Sequence, residues 1–388
     1  MKLNSFIFNC PTRVMFAEHE SASIASYAED MGIIKPLLVS DRGLVESGVL
    51  EPVIESLTDS GIPYETFYEV PPDSDIDCVN KAAEFARDKE CNSIIAVGGG
   101  SVLDTAKVVN LCLNQGSDLL ANQGLNILHE RLSPFIALPT TAGTGSEVSF
   151  VAAIKDRCEK RKLVFGSRFL APDLAILDPT LLLSLPSKLT AATGMDALTH
   201  AIEALACSVT QSPLTEILSI EAMRLLFEHL QRATRNGDDI DARAGTLVAS
   251  TMAGIAFTNS GVGIIHALAH ATGALFKTHH GLTNAIFLPH GMRFNKEESC
   301  HVYARAARSL GYADRQNDDT ACDILIGKVE ELMESISIPP QLRTIGVPAM
   351  EGELLEHWSE LVLEDPSIMF NPRYATTEDV IDIYERAY

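Results

Sequence analysis

The sequence predicts an α/β domain with a mostly parallel sheet over residues 1–185 and an all-α domain over residues 186–388. In the first part, short apolar runs such as residues 36–40 and 93–97 alternate with segments of helical periodicity, which is typical of βαβ units. After about Pro186, apolar residues recur at helical spacing without a clear series of strands. A chain of 388 residues is long enough for both domains.

Each predicted element has a local reason in the sequence. Residues 5–17 favour two short strands around Pro11-Thr12. The later strands are short apolar runs, and the helices are segments in which apolar residues return every third or fourth position. These strands are residues 36–40, 64–70, 93–97, 135–138 and 174–177. The helices are residues 22–31, 50–60, 76–89, 102–113, 212–229, 242–256, 264–276, 322–335 and 377–387.

The composition excludes several classes of protein. Apolar residues make up 46% of the chain and charged residues 21%, so a large core is available. The formal charge of −22 opposes binding to nucleic acid, whose phosphates require lysine and arginine. No apolar run approaches the length of a transmembrane helix, and the N-terminus, Met1-Lys-Leu-Asn-Ser, lacks the long apolar run of a signal peptide. The eight cysteines form no CxxC pair, and scattered thiols predict a reducing, cytoplasmic location.

Two loops at strand ends are suited to a phosphate ligand. Gly98, Gly99, Gly100 and Ser101 directly follow a predicted strand and precede a helix. Such a turn lets backbone N–H groups meet a pyrophosphate, although three glycines alone also fit a plain tight turn. A second loop at residues 139–146, rich in threonine and glycine, follows another strand, and such loops mark the ligand crevice of an open α/β sheet. A dinucleotide site is therefore predicted here.

Asp41 stands at the end of its own predicted strand. A carboxylate there can accept hydrogen bonds from a ribose 2′-hydroxyl and would repel a 2′-phosphate, which favours NAD over NADP. The alternative is that Asp41 caps the following helix, and the adjacent Arg42 would soften the discrimination.

Four residues of the second part have the types and spacing of a metal site. Asp196 and His200 are one helical turn apart, so they lie on one face of a helix, and His266 and His270 have the same spacing. The predicted ligands are Asp196, His200, His266 and His280. One carboxylate with three imidazoles suits Fe²⁺ or Zn²⁺ better than Ca²⁺ or Mg²⁺. Because burying these groups without a partner is costly, a catalytic metal is favoured over isolated core histidines.

His270 and His279 each have two interpretations. Each is close in sequence to a predicted ligand and could orient the site or relay a proton. A structural role is an equal alternative for each.

These motifs resemble the iron-containing (group III) alcohol dehydrogenases, a family with an N-terminal dinucleotide-binding domain and a C-terminal helical domain. The similarity runs nearly from end to end, and its long central blocks are highly specific. The blocks are Phe8-Asn-Cys-Pro-Thr-Arg-Val14, Gly98-Gly-Gly-Ser-Val-Leu-Asp-Thr-Ala-Lys107, Pro139-Thr-Thr-Ala-Gly-Thr-Gly-Ser-Glu-Val148, Ala191-Ala-Thr-Gly-Met-Asp-Ala-Leu-Thr-His-Ala-Ile-Glu203, His266-Ala-Leu-Ala-His270, His280-Gly281 and Asn371-Pro-Arg373.

The resemblance implies the same four metal ligands and gives roles to further residues. Gly99, Gly100 and Ser101 would contact the pyrophosphate, and His270 would lie between the metal and the nicotinamide. The residues implied along the nicotinamide and ribose half are Asp104, Thr140, Thr141, Ser149, Lys162 and Leu181. Without the resemblance, Lys162 would be read as part of a solvated basic run.

The resemblance also implies the reaction, a reversible hydride transfer between a primary alcohol or short diol and NAD(H). Fe²⁺ would be the metal, although the ligand set would also accept Zn²⁺ or another divalent transition metal. Phe150, Val151 and Phe257 are expected to line the substrate pocket, and their apolar bulk favours simple primary alcohols over diols. The alcohol proton is expected to leave through His270, the ribose hydroxyls and solvent.

Several alternatives stay open at this point. Within enzymes they are a specialised carbonyl reductase, a glycerol dehydrogenase-like or maleylacetate reductase-like enzyme, and a dehydroquinate synthase-like lyase. The lyase is disfavoured because no lysine or arginine stands beside a predicted ligand. A non-catalytic NAD- and metal-binding protein is disfavoured by the intact ligands and glycine loop. The expected partners are a small alcohol or aldehyde and further copies of the chain, as a homodimer or higher homo-oligomer, without nucleic acid or membrane.

Overall fold

A computed structural model describes residues 5–116, 118–126, 128–157 and 161–388, with residue 161 described by its backbone alone. The chain forms two compact units, each with its own hydrophobic core. The α/β unit comprises Asn9–Leu185 and Gly237–Leu247. The helical unit comprises Pro186–Asn236, Val248–Tyr388 and the described residues before Asn9. A domain boundary near residue 185 stays a prediction, and the two units depart from it in residues 5–8 and 237–247.

A six-stranded parallel sheet lies at the centre of the α/β unit. The strands of this unit are β1 (Arg13–Phe16), β2 (Pro36–Val39), β3 (Glu65–Phe67), β4 (Ser93–Gly98), β5 (Gly124–Leu125), β6 (Phe135–Pro139), β7 (Val151–Asp156), β8 (Arg161–Gly166) and β9 (Leu174–Leu177). The order in the large sheet is β1-β9-β6-β4-β2-β3, and every neighbouring pair is parallel. Its four inner strands are buried along their whole length, which explains why they are continuous apolar runs in the sequence.

A second, three-stranded sheet was not predicted. Its order is β5-β8-β7, with β7 and β8 antiparallel. Along β7, the side chains of alternate residues are buried, as expected for a strand with one covered face. The prediction of two strands in residues 5–17 is wrong, because only β1 forms there and residues 5–12 are irregular.

Helices connect the strands and build the helical unit. Those of the α/β unit are α1 (Ile24–Asp30), α2 (Arg42–Glu46), α3 (Glu51–Asp59), α4 (Ile76–Asp88) and α5 (Gly100–Gln115). The later ones are α6 (Ser187–Ala206), α7 (Pro213–Arg235), α8 (Ile240–Ser260), α9 (Ile264–Phe276), α10 (His280–Ser309), α11 (Asp318–Ser335), α12 (Gly352–Glu364) and α13 (Thr377–Ala387). All strands of the described part of the chain lie in the α/β unit, so the second part is helical as predicted.

The 30-residue helix α10 was not predicted, and it continues through Pro289. An interior proline costs a helix about 3 kcal/mol and usually ends it. Residues 285–288 and Met292 are fully buried on either side of this proline, and their packing outweighs that cost. Within the described residues, no single helix is long and apolar enough to cross a membrane, and the bent pair α8 and α9 meets that criterion only when taken together.

Candidate functional site

Three predicted metal ligands lie on two helices of the helical unit. Asp196 and His200 are one turn apart on α6, His266 is on α9, and all three side chains are buried. One oxygen of Asp196 and one ring nitrogen of each histidine lie within 4.8 Å of one another. The two imidazole rings are stacked with their centroids 4.6 Å apart. This grouping suits three ligands of a single cation.

His280, the first residue of α10, lies beside the other three predicted ligands. Its Nε2 is 3.6 Å from Asp196 Oδ1, and its ring centroid is 5.4 Å from that of His266. The His280 side chain is 31% exposed, whereas that of Asp196 is 4% exposed, so solvent reaches the cluster from the His280 side. The adjacent His279 is the N-cap of α10, where its Nδ1 accepts the Leu282 backbone N–H at 3.4 Å. A structural role therefore accounts for His279.

The state of His266 tests whether these residues fit a metal. Its Nδ1 contacts Glu203 Oε2, which assigns the ring proton to Nδ1 and leaves a lone pair on Nε2. Nε2 is buried, has no hydrogen-bond partner among the described residues, and lies 3.9 Å from Asp196 Oδ1. An unpaired buried polar atom costs roughly 1–3 kcal/mol. A divalent transition metal beside Asp196 would satisfy it, so the residues fit the predicted ion.

The electrostatics of the cluster favour a positive charge. Burial lowers the pKa of His266, but Glu203 and then Asp196 outweigh this effect and hold the pKa above its ordinary value. Both carboxylates are nearly fully buried, so solvent screens their charges weakly. A proton or a metal cation can compensate these charges, and a bound metal would take the place of the proton.

Glu203 is a site residue that the sequence prediction missed. Its Oε1 accepts the Ile265 backbone N–H at 2.8 Å, and its Oε2 accepts the Nδ1–H of His266. A carboxylate on the far nitrogen of a metal-binding imidazole fixes the tautomer and raises the basicity of the ligand. The signal was present, since Glu203 follows Asp196 by two helical turns and so lies on the same face of α6.

Asn284 is a second site residue without a sequence prediction. It is fully buried on α10, one turn after His280. Its Nδ2 donates to Asp196 Oδ1 at 2.8 Å and lies 3.1 Å from His280 Nε2. The amide, which belongs to α10, therefore orients the Asp196 carboxylate of α6.

His270 is oriented by another carboxylate. Its Nδ1 donates to Asp365 Oδ2 at 2.8 Å, and its ring stacks on His280 with centroids 5.3 Å apart. Asp365 Oδ1 accepts the Ser367 backbone N–H at 2.8 Å at the start of the 3₁₀ turn Pro366–Phe370. Although burial raises the pKa of Asp365, the contact with His270 holds it well below its ordinary range. Asp365 is thus a carboxylate that keeps the His270 proton on Nδ1, a role that the sequence did not reveal.

The three predicted pocket residues are distributed over both units. Phe257 on α8 stacks on the imidazole of His200, with ring centroids 4.3 Å apart and an interplanar angle of 19°. Phe150 and Val151 lie in the α/β unit where β7 begins, and the Phe150 carbonyl accepts the Ser167 N–H at 3.0 Å. That these three side chains line the substrate pocket stays a prediction.

The glycine turn lies at the carboxyl end of β4, as predicted. Gly98 ends the strand, Gly99 is the N-cap of α5, and Gly100 begins that helix. A Cβ on Gly100 would come within 2.6 Å of Thr144 Cγ2, so this position needs glycine for the second loop to pack against the turn. Ser101 Oγ accepts the Asp73 backbone N–H at 3.1 Å. The two loops predicted from the strand ends therefore lie side by side.

The other predicted cofactor residues occupy different places in the α/β unit. Thr140 follows β6 and its N–H donates to the Gly98 carbonyl at 3.1 Å. A Cβ on Gly99 would come within 3.2 Å of the Thr141 side chain. Ser149 is buried beyond the same loop. The remaining positions are Asp104 on α5, exposed Lys162 on β8 of the small sheet, and buried Leu181 in the 3₁₀ turn Pro179–Leu182. Their contacts with a cofactor stay predictions.

Asp41 caps the helix that follows it. Its Oδ1 accepts the Leu44 backbone N–H at 3.0 Å at the beginning of α2. The neighbouring Arg42 lies 3.7 Å from Glu69. The cap uses one carboxylate oxygen, so it is compatible with the proposed contact to a ribose.

A glycine turn at the end of a central parallel strand, with one carboxylate and three imidazoles grouped in a helical unit, defines a metal-dependent enzyme of the dinucleotide-binding class. The sequence profile "Iron-containing alcohol dehydrogenase" matches residues 11–179, and the profile "Fe-containing alcohol dehydrogenase family, C-terminal" matches residues 190–388. The chain belongs to the iron-containing alcohol dehydrogenase family.

Individual relatives agree with this assignment. The chain is 34% identical to an NAD-dependent methanol dehydrogenase of Bacillus methanolicus over 94% of this chain and 95% of that protein. It is 33% identical to a 1,3-propanediol dehydrogenase of Citrobacter freundii over the full length of both. The solved structure of an alcohol dehydrogenase from Oenococcus oeni superimposes with a TM-score of 0.94 at 32% identity, covering 99% of this chain and 100% of that one.

The predicted family, fold class and enzyme class are therefore confirmed. The chain is an alcohol dehydrogenase, an oxidoreductase, and its cofactors are NAD(H) and iron.

Proposed function

We propose that this enzyme transfers a hydride reversibly between a primary alcohol or short diol and NAD⁺, giving an aldehyde and NADH. The proposed metal ligands are Asp196, His200, His266 and His280. The observation that carries the proposal is the buried, unpaired Nε2 of His266 beside Asp196. A divalent metal bound there would supply Lewis acidity toward the alcohol oxygen, and NAD⁺ would accept the hydride.

The side chains around the metal ligands would hold and move protons. Glu203 keeps His266 in the tautomer whose Nε2 can bind a cation, and Asn284 orients Asp196. Asp365 holds the proton of His270 on Nδ1, so Nε2 of that ring is the atom suited to accept the proton of the alcohol. The His270 side chain is 26% exposed, which gives that proton a way to solvent.

The proposed cofactor residues belong to the α/β unit. Gly98, Gly99, Gly100 and Ser101 would hold the pyrophosphate at the N-terminus of α5. Those proposed for the ribose and nicotinamide are Asp41, Asp104, Thr140, Thr141, Ser149, Lys162 and Leu181. Phe150, Val151 and Phe257 offer few hydrogen bonds to a second hydroxyl, so simple primary alcohols are the favoured substrates.

The test is NADH formation by metal-free protein reloaded separately with Fe²⁺ and with Zn²⁺ and offered a panel of alcohols and diols. Turnover restored by Fe²⁺, with primary alcohols fastest, is expected. Protein kept with a chelator is the control. Silence with every metal and alcohol, despite demonstrated binding of NADH, would contradict the proposal and favour a specialised carbonyl reductase or a lyase.

His270→Ala is expected to lower turnover by roughly 10²–10⁴-fold, the usual contribution of a general acid–base residue. The pH–rate profile should change shape, because the group that accepts the alcohol proton is gone. The same change at His357, an exposed histidine on α12, is the control and should leave both quantities as they are. An unaltered profile in His270→Ala would remove this residue from the proton path.

Asp41→Ser is expected to raise the use of NADP⁺ relative to NAD⁺ by about tenfold or more, because it removes the charge that opposes a 2′-phosphate. Serine can still cap α2, so stability should change little. Asp41→Ala should relax the preference equally but cost roughly 1 kcal/mol of stability through loss of the cap. Ratios of kcat/KM for the two coenzymes decide, and an unchanged ratio in both variants would sink the assignment.

We also propose a cytoplasmic location and a homodimer or higher homo-oligomer. The free thiols among the described cysteines fit a reducing compartment. Light scattering coupled to gel filtration would give the assembly, and a monomer at micromolar concentration would contradict it.

A further inference from the structure

Asn371 lies at the N-terminus of α9, the helix that carries His266 and His270. Gly263 is the N-cap residue of this helix and has no side chain with which to accept a backbone N–H. Asn371 Oδ1 instead accepts the Ile264 N–H at 3.1 Å. The first N–H groups of a helix have no partner inside it, and a buried one that stays unpaired is costly. Asn371 therefore caps α9 from a distant part of the chain.

The capping of α9 is divided between two side chains. Glu203 Oε1 accepts the Ile265 N–H at 2.8 Å, directly after the N–H that Asn371 takes. A Cβ on Gly263 would come within 2.6 Å of Asn371 Oδ1 and 3.2 Å of Glu203 Oε1, so both oxygens lie close against this turn. Because Asn371 takes one N–H group, Glu203 caps the helix with one oxygen only, and its Oε2 remains for the Nδ1–H of His266.

The orientation of the Asn371 amide is fixed by its other partners. Its Nδ2 donates to the Arg373 carbonyl at 2.7 Å and to Asn295 Oδ1 at 2.8 Å. Asn295 Nδ2 donates back to Asn371 Oδ1 at 3.0 Å, and both amides are buried. Both donors and both acceptor positions of Asn371 are thus in use. Turning the amide over would place its NH₂ against the Ile264 N–H, so the oxygen must face α9.

Two helices hold the segment that presents this amide. The Arg373 guanidinium lies over the Phe294 ring, 4.2 Å from its centroid, and donates to the Phe294 carbonyl of α10 at 3.0 Å. It also lies 3.4 Å from Asp379 Oδ1 in the first turn of α13. The motif Asn371-Pro-Arg373 therefore joins the N-terminus of α9 to α10 and α13, which gives a physical role to a block that the sequence singles out.

We propose that Asn371 is a positioning residue for the metal centre, because its cap on α9 keeps the Glu203 carboxylate on His266. This inference rests on the proposed function, in which His266 is a metal ligand. Without the Asn371 oxygen, the buried Ile264 N–H would compete with His266 for the Glu203 carboxylate. The contact that fixes the tautomer of His266 would then weaken.

The test compares two substitutions of similar volume. Asn371→Leu removes the cap and is expected to weaken Zn²⁺ binding about three- to tenfold, less than the loss of a carboxylate in direct contact with a ligand histidine. Asn371→Asp keeps an oxygen acceptor, which a helix N-terminus favours, and should stay within about twofold of the parent enzyme. Both variants lose the two amide donors and should unfold at a lower temperature. A residue that only stabilises the fold would not separate the two variants in Zn²⁺ affinity.

Asn295→Leu is the matched control. It breaks the same amide pair, but the Arg373 carbonyl still holds Asn371 Nδ2, so the cap on α9 is kept. Its unfolding temperature should fall, and its Zn²⁺ affinity should stay within about twofold of the parent. In a Glu203→Gln background, Asn371→Leu should weaken Zn²⁺ binding by less than about twofold further, because both changes act on one contact of His266.

The measurements are chelator competition for Zn²⁺ and thermal unfolding, so neither depends on turnover. If Asn371→Leu does not fold, Asn371→Ala takes its place with the same expectation. Parent-like affinity without the cap, equal weakening in the Leu and Asp variants or in Asn295→Leu, or effects that multiply with Glu203→Gln would each overturn this role of Asn371. Absence of Zn²⁺ binding by the unaltered enzyme would instead refute the proposed metal site, and this inference with it.

Discussion

Glu203→Gln is expected to weaken metal binding by about 10–100-fold, the usual effect of removing a carboxylate behind a metal-binding histidine. Glu203 accepts two hydrogen bonds, one from the Ile265 N–H and one from the Nδ1–H of His266. Glutamine offers one oxygen and one NH₂. Its NH₂, a donor, must therefore face either the Ile265 N–H or the Nδ1–H of His266, which are donors themselves. If the NH₂ faces His266, the imidazole proton moves to Nε2 and blocks the lone pair that the metal needs.

The measurement is the affinity for Zn²⁺ or Co²⁺ by chelator competition, together with the metal content of the purified protein. Glu216→Gln is the control, because Glu216 is a carboxylate of the same unit that pairs with Arg305 at 2.8 Å. That variant should retain the affinity of the parent enzyme. Equal affinity in Glu203→Gln and Glu216→Gln would show that the carboxylate does not act through His266.

Gly281→Ala is expected to disturb the proposed metal site by pushing α10 away from α6. A Cβ at this position would overlap the Ala192 carbonyl oxygen and come within 3.1 Å of Asp196 Cβ. The backbone of α6 cannot move aside as a flexible side chain can, so α10 must shift and carry His280 with it. Overpacking of this kind costs typically 1–3 kcal/mol. A displacement of His280 by more than roughly 0.5 Å takes a ligand out of productive geometry.

The chain offers a matched glycine for comparison. Gly273 lies in α9, and a Cβ there would be 3.8 Å from the Thr278 carbonyl oxygen, an ordinary contact. Gly273→Ala should raise stability by about 0.5–1 kcal/mol through helix propensity and leave metal affinity as it is. Thermal unfolding and metal titration of both variants decide. Normal metal binding in Gly281→Ala would mean that the close approach of α6 and α10 is not needed for the site.

The sequence predicted what depends on local pattern. The strand at 174–177 and the helices at 264–276 and 377–387 are confirmed with the bounds expected, since each is a periodic segment with clear ends. The spacing of Asp196 and His200 also indicated a shared face of α6. The structure brings these residues together with the other two predicted ligands, although their role as ligands stays a proposal.

What the sequence did not predict depends on which segments meet. Asn284 and Asp365 act through partners far away in the chain, and neither their type nor their neighbours reveal those partners. Glu203 has the spacing of a residue on the same face of α6 as Asp196, but its partner His266 lies 63 residues away. Helix α10 has no counterpart among the predicted helices, and its length depends on tertiary packing around Pro289, a residue that is unfavourable inside a helix.

Helix α9 carries two imidazoles, and a different carboxylate holds each of them. Glu203, the partner of His266, belongs to the same helix as two of the proposed ligands, whereas Asp365, the partner of His270, begins a short turn near the end of the chain. Selection can therefore act on the two pairs separately. A substitution at Asp365 can therefore change the pH dependence of turnover over evolutionary time, while Glu203 and the proposed metal ligands stay unchanged.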